Sequence, residues 1–171
     1  ERTALAGHSM GGYVALAFAR RYPQHVSALA LVASHPYADP PDRREARYTT
    51  ARAVAEQGVA VVANSMPEKL TANPTLQHAL RDLALRQSPA GVIGALRAMA
   101  ARPDSMDLLR GFDFPLVVVQ GAQDSIIPVQ FGRDVQAAHP NAHVVELPAA
   151  GHMPMMEAPR ETAEALLKLL P

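Results

Sequence analysis

Apolar residues fall into two different rhythms along the chain. Residues 3–6, 26–33 (VSALALVA) and 115–120 (PLVVVQ) are short apolar runs with little alternation, and 142–147 (AHVVEL) follows as a fourth strand-sized segment. Runs of this length predict strands buried on both faces, as in a parallel sheet. Between them the spacing changes to that of helices. Residues 11–21 carry the small side chains Ala15, Ala17 and Ala19 and stop at Pro23. Residues 128–139 place Phe131, Val135 and Ala138 on one face, and residues 160–170 are expected to turn Ala163, Leu166, Leu167 and Leu170 inward. Strand alternating with helix predicts an α/β fold: a parallel sheet flanked by helices.

The middle of the chain breaks this alternation. From about residue 43 to 106 no strand pattern is convincing. Asn73-Pro74 and Ser88-Pro89 each set a capping residue before a proline, a helix-start signature. Leu76, Leu80, Leu83 and Ala84 follow the first, and Val92, Leu96 and Met99 follow the second, all at helical spacing. The expected organisation is a core of residues 1–42 and 107–171 interrupted by an all-helical insertion, 43–106, of four short helices.

Composition narrows the chemistry. Hydrophobic residues make up 49% of the 171, enough for a packed core. The formal net charge is zero, which argues against nucleic acid or an anionic membrane surface as partner. Arg43, Arg44 and Arg47 form the one local basic excess, expected to be a solvated helix face. The absence of cysteine excludes disulfides, thiolate metal sites and a cysteine nucleophile, and fits a cytoplasmic setting. No apolar run approaches the roughly 20 residues of a membrane span.

Chemistry concentrates in Gly7-His8-Ser9-Met10-Gly11-Gly12, which carries the pattern G-x-S-x-G between an apolar strand and a small-residue helix. A serine thrown off a strand directly into a helix needs a very tight turn, for which glycines two residues to either side make room. The hydroxyl is then exposed beside a helix N-terminus, where free amides favour developing negative charge. Chance would produce the bare pattern in a chain of this length about one time in twenty. The strand–turn–helix context makes Ser9 the candidate nucleophile.

The hexapeptide resembles the nucleophile elbow of the α/β-hydrolase superfamily. Gly121-Ala122-Gln123-Asp124 and Gly151-His152 are similar to its acid and histidine loops. The resemblance covers the whole chain and implies a serine hydrolase with a helical cap, a partial α/β-hydrolase fold whose N-terminal part is missing. Of the seven histidines, His152 follows the last strand, at the end where parallel sheets place their sites, and comes last in the family order Ser, acid, His. His8, inside the elbow, is expected to point away from Ser9. His25, His78, His139 and His143 are expected to be surface or structural. Asp124 ends a strand–Gly-x-x-Asp segment and is the favoured acid; Asp39 and Asp42, after the preceding strand, are the rivals.

The family pattern further implies the Met10 amide as one oxyanion donor, with the second supplied by an earlier loop that this chain lacks. The fragment is accordingly expected to be crippled in turnover, and to self-associate through an exposed sheet edge near residues 3–6. The insertion falls where the family carries its cap, in a pattern similar to enol-lactonases and small carboxylesterases. His35, Met66, Leu70, Met99 and Met153 are the candidates for substrate contact, with helix packing as the alternative for the methionines and Leu70. The implied reaction is hydrolysis of a small-molecule ester, thioester or lactone through an acyl-enzyme, with no metal or organic cofactor. A cofactor-free haloperoxidase, a carbon–carbon bond hydrolase, an acyltransferase and an inactive fragment or ligand receptor are the alternatives.

Overall fold

The computed structural model describes residues 1–170. In chain order the elements are β1 (Thr3–His8), α1 (Met10–Arg21), β2 (Val26–Val32), α2 (Pro41–Gln57), α3 (Ala60–Ser65), α4 (Pro67–Leu70), α5 (Pro74–Leu85), α6 (Pro89–Ala101), α7 (Met106–Arg110), β3 (Leu116–Gly121), α8 (Gln130–Ala138), β4 (His143–Leu147), α9 (Pro154–Glu157) and α10 (Pro159–Leu166). Single 3₁₀ turns cover Pro23–His25 and Leu167–Leu169. The chain divides into two compact units, residues 1–37 with 104–171 and residues 38–103. The helical unit thus begins five residues before the expected position 43. No helix among the described residues is long and apolar enough to cross a membrane.

The first unit is built on a four-stranded sheet in the order β1-β2-β3-β4, with every neighbouring pair parallel. Side chains alternate across the two faces of a strand. On β2, Leu29 and Leu31 therefore join Leu16, Leu109, Phe114, Val118 and Val135 in one core. Ala28, Ala30 and Val32 face the opposite way, into a second core with Val117, Val119, Leu147, Ala165 and Leu169. Burial on both faces explains the unbroken apolar runs of β2 and β3. At the edge, β1 leaves Thr3, Ala4 and Ala6 exposed. The register pairs His8 with Val32, Val32 with Val119 and Gly121 with Leu147, so the C-terminal ends of all four strands reach one rim.

One helical face departs from its expected pattern. At the C-terminus the buried residues are Thr162, Ala165 and Leu169, whereas Leu167 and Leu170 are 60% and 61% exposed. The smaller Thr162 and Ala165 allow closer approach.

The helical unit comprises α2 to α6. These are five helices among the described residues, and α2 is 17 residues long, so the expectation of four short helices undercounts it. The reason is length: α3 and α4 span only six and four residues, too few to show an apolar period. The two caps form as expected. Asn73 Oδ1 accepts from the amides of Thr75 and Leu76, and Ser88 Oγ accepts from that of Gly91. Arg47 is not part of a solvated face. Its guanidinium bonds the fully buried carboxylate of Asp39, which Arg102 also meets at 2.8 Å and Arg43 at 3.7 Å.

Candidate active site

Three loops at the strand rim supply the site. The first follows β1. Ser9 has a φ of 50°, a left-handed conformation rare outside glycine. Such strain persists only where neighbours over-determine it. Here the Ser9 amide donates to the carbonyl of Val32 at 2.8 Å, and the Ser9 carbonyl accepts from the Gly12 amide at 3.0 Å and from Ser34 Oγ at 2.8 Å. A Cβ on Gly7 would lie 2.3 Å from the carbonyl oxygen of Gly11, and one on Gly12 would lie 2.3 Å from Ser34 Oγ. A Cβ on Gly11 would meet nothing within 4 Å. The elbow's tight positions are thus Gly7 and Gly12, where the sequence pattern suggested Gly7 and Gly11.

The second and third loops follow β3 and β4. They cross at Gly121, where a Cβ would lie 2.1 Å from the carbonyl oxygen of Gly151. Beyond the crossing, Asp124 Oδ1 accepts from the amides of Ile126 at 2.7 Å and Ile127 at 2.9 Å. Its other oxygen, Oδ2, lies 2.7 Å from His152 Nδ1, and His152 Nε2 lies 2.9 Å from Ser9 Oγ. The side chains of His152 and Asp124 are 2% and 0% exposed. A carboxylate only accepts, so Nδ1 carries the imidazole proton and Nε2 offers its lone pair to the serine hydroxyl. Ser9, His152 and Asp124 therefore form one hydrogen-bonded row inside the first unit.

His8 does not stand apart from this row. Its Nε2 donates to the backbone carbonyl of His152 at 2.7 Å, and the two rings lie 5.1 Å apart. Burial is the main influence on His8 and lowers its pKa below 6.5; the hydrogen bond to His152 and the charge of Asp124 oppose the shift. Glu157, in α9, accepts through Oε2 from the amides of Gly151 at 2.7 Å and Met153 at 3.2 Å. Sequence reasoning missed both roles and that of Ser34. The available signal was a carboxylate one short turn beyond Gly151-His152, where irregular backbone needs acceptors for its amides.

The other expected site residues are placed as follows. Met10 is the first residue of α1, where amides have no carbonyl one turn earlier. His35 is buried among Tyr13, Tyr37 and Phe131, with Nδ1 accepting from the Tyr37 amide and Nε2 near the Tyr13 hydroxyl, both at 3.2 Å. Its nitrogens serve the core, which corrects the expectation that it faces substrate. Met153 is buried directly after His152. Met66, Leu70 and Met99 are half-buried in the helical unit, where Met99 Sδ accepts from Arg47 at 3.2 Å. Asp39 is held by arginines in that unit, and Asp42 opens α2.

An all-parallel sheet that carries a strained serine, an acid and a histidine on the loops after β1, β3 and β4 defines a class. The chain belongs to the α/β-hydrolase fold family, whose model matches residues 1–159.

Among particular relatives, the chain is 35% identical to the dihydrolipoyllysine-residue acetyltransferase component of the acetoin cleaving system of Pseudomonas putida, over 97% of this chain and 45% of that protein. It is 28% identical to the pimeloyl-[acyl-carrier protein] methyl ester esterase of Chromobacterium violaceum, over 97% of this chain and 69% of that one. A thermophilic esterase from Thermogutta terrifontis, solved with malate bound, superposes with a TM-score of 0.92 at 34% identity, covering 99% of this chain and 64% of the esterase. The chain thus spans between 45% and 69% of these relatives.

Proposed function

We propose that this chain carries the serine-hydrolase centre of an enzyme that cleaves a carboxylic ester, thioester or lactone. The observation that supports this most is the row Ser9 Oγ–His152 Nε2–Asp124 Oδ2, with links of 2.9 and 2.7 Å. Ser9 is the nucleophile. As its oxygen bonds to the acyl carbon, its proton passes to His152 Nε2, and Asp124 stabilises the imidazolium without itself taking the proton. The carbonyl electron pair moves onto oxygen, beside the Met10 amide, where a donor of this kind is worth about 10²–10³ in turnover. Collapse expels the alcohol or thiol, which takes the proton from His152 and leaves an acyl-Ser9. Water then repeats the sequence and releases the carboxylic acid.

The esterase relatives support ester cleavage. The acetyltransferase component, at 35% identity, favours a second reading in which an alcohol or thiol replaces water in the second half. One experiment separates the two. A fluorophosphonate should label Ser9 and no other residue, and p-nitrophenyl esters of rising chain length should be hydrolysed. If an added thiol or alcohol speeds p-nitrophenol release and appears in a new ester, transfer is the physiological half-reaction. Labelling that persists in Ser9→Ala would refute the assignment.

A further inference from the structure

We infer that Glu157 and His8 form a clamp on a single peptide unit, the one joining His152 to Met153, and so position the imidazole against Ser9. The inference rests on the reading of His152 as the base. The N–H of that peptide donates to Glu157 Oε2 at 3.2 Å, and its C=O accepts from His8 Nε2 at 2.7 Å. The same Glu157 oxygen also takes the Gly151 amide, two peptides earlier, at 2.7 Å.

Between β4 and α9 the amides of Gly151 and Met153 donate to a side chain instead of to a strand or helix carbonyl, although the Met153 carbonyl already accepts from the amides of Met156 and Glu157 in α9. Gripping a peptide at both its N–H and its C=O fixes the backbone torsions on either side, and these set the direction of the His152 Cα–Cβ bond. The two jaws come from opposite directions. Glu157 lies in α9, after the histidine, and His8 is the residue that precedes Ser9 at the end of β1. The clamp thereby ties the base loop to the strand end that carries the nucleophile. Burial keeps the His8 ring neutral near neutral pH, so it adds no positive charge beside His152. Glu157 and His8 hydrogen-bond the backbone that carries His152 and are positioning residues.

The test compares Glu157→Leu with Glu157→Gln, which keeps an acceptor oxygen, and His8→Leu with His8→Gln, whose amide can donate in place of Nε2. Each is read by the rate of Ser9 labelling with a fluorophosphonate and by kcat and KM for p-nitrophenyl acetate. The downfield proton resonance of the His152 Nδ1–H reports the base without requiring turnover. Glu157→Leu should slow labelling and kcat about tenfold or more with KM within about twofold, because small misplacements of a reacting group cost heavily. The downfield line should broaden or vanish. Glu157→Gln and His8→Gln should recover to within about threefold of the parent rate and keep the line.

Leucine variants that fold, label at the parent rate and retain the line would overturn the clamp. If Glu157→Leu fails to fold, the His8 pair decides alone: equal rates and lines for His8→Leu and His8→Gln also overturn it. A parent chain that never labels at Ser9 would instead sink the nucleophile assignment, while the downfield line still reports the clamp.

Discussion

The two units are held together by different physics. In the sheet unit, β3 is buried along its whole length and β2 nearly so, and the polar groups at the rim are satisfied by short, specific hydrogen bonds. In the helical unit, α5 buries no residue, and α2, α3, α4 and α6 bury Ala51, Val54, Ala63, Pro67 and Ala100. Its most enclosed charged group is a carboxylate, Asp39, ringed by Arg47, Arg102 and Arg43. Burial of apolar strands makes a scaffold stiff enough to hold a serine at a φ of 50°. Helices joined by small residues and one charged cluster hold their shape by a few interactions that single substitutions can remove.

The largest expected effect is on the chemistry of the sheet unit. Ser9→Ala should abolish fluorophosphonate labelling and lower ester turnover by about 10³-fold or more, with melting temperature unchanged or raised, because alanine loses no packing and the strained site loses only its hydroxyl. Turnover within tenfold of the parent would remove the sheet unit's claim to the chemistry.

Next in size comes the charge cluster. Asp39→Asn leaves three guanidinium groups around a buried neutral amide, and removing one partner of a buried pair costs about 3–5 kcal/mol. Hydrogen exchange should show protection lost first in α2 and α6, which carry Arg47 and most nearly precede Arg102. Unchanged protection there would mean that apolar contacts hold the helical unit after all. Gly121→Ala tests the sheet unit in the same way. Its Cβ would meet backbone at Gly151, not a movable side chain, so the histidine and acid loops must separate. A loss of about 2–3 kcal/mol is expected, with slower labelling of Ser9; a chemical denaturation curve paired with the labelling rate checks both.

The same contrast governs what could be read from the sequence. The strands, the elbow and the order Ser9, Asp124, His152 were legible because buried strands and strand-end loops leave dense local patterns. The number of helices in the insertion was not, because α3 and α4, at six and four residues, are too short to show an apolar period. Asp39 was readable as a rival acid, yet its partners Arg47 and Arg102 are respectively eight and sixty-three positions away, a pairing no local pattern specifies. Glu157 and His8 escaped for the related reason that their partners are backbone groups, which every residue possesses. His35 misled because a histidine after a strand reads as a site residue, and only the folded packing of Tyr13, Tyr37 and Phe131 around it shows otherwise.

Titration offers the gentlest way to separate the two units. At Asp39 burial alone would raise the pKa, but hydrogen bonds and charge from Arg47 and Arg102 outweigh it and hold the value at about 2, below the ordinary 3.8. The unfolded chain therefore takes the proton first. The stabilisation is complete above 3.8 and is lost as the pH falls towards 2, a change of roughly 2 kcal/mol. His8 acts higher on the scale. Its folded pKa is lowered from 6.5, so the folded state favours the neutral ring and the unfolded chain again binds the proton first. Stability from this group is present above 6.5 and declines as the pH drops from there to the lowered folded value. The two limbs should appear in different segments. On acidification below 6.5, hydrogen-exchange protection should weaken first around Gly151–Met153, and His8→Gln should flatten that limb while leaving the one near 3 intact. Asp39→Asn should do the reverse, removing the low-pH limb from α2 and α6. If both variants altered the same limb, the contrast between an apolar scaffold that guards its imidazoles and a helical unit built on one buried carboxylate would have to be given up.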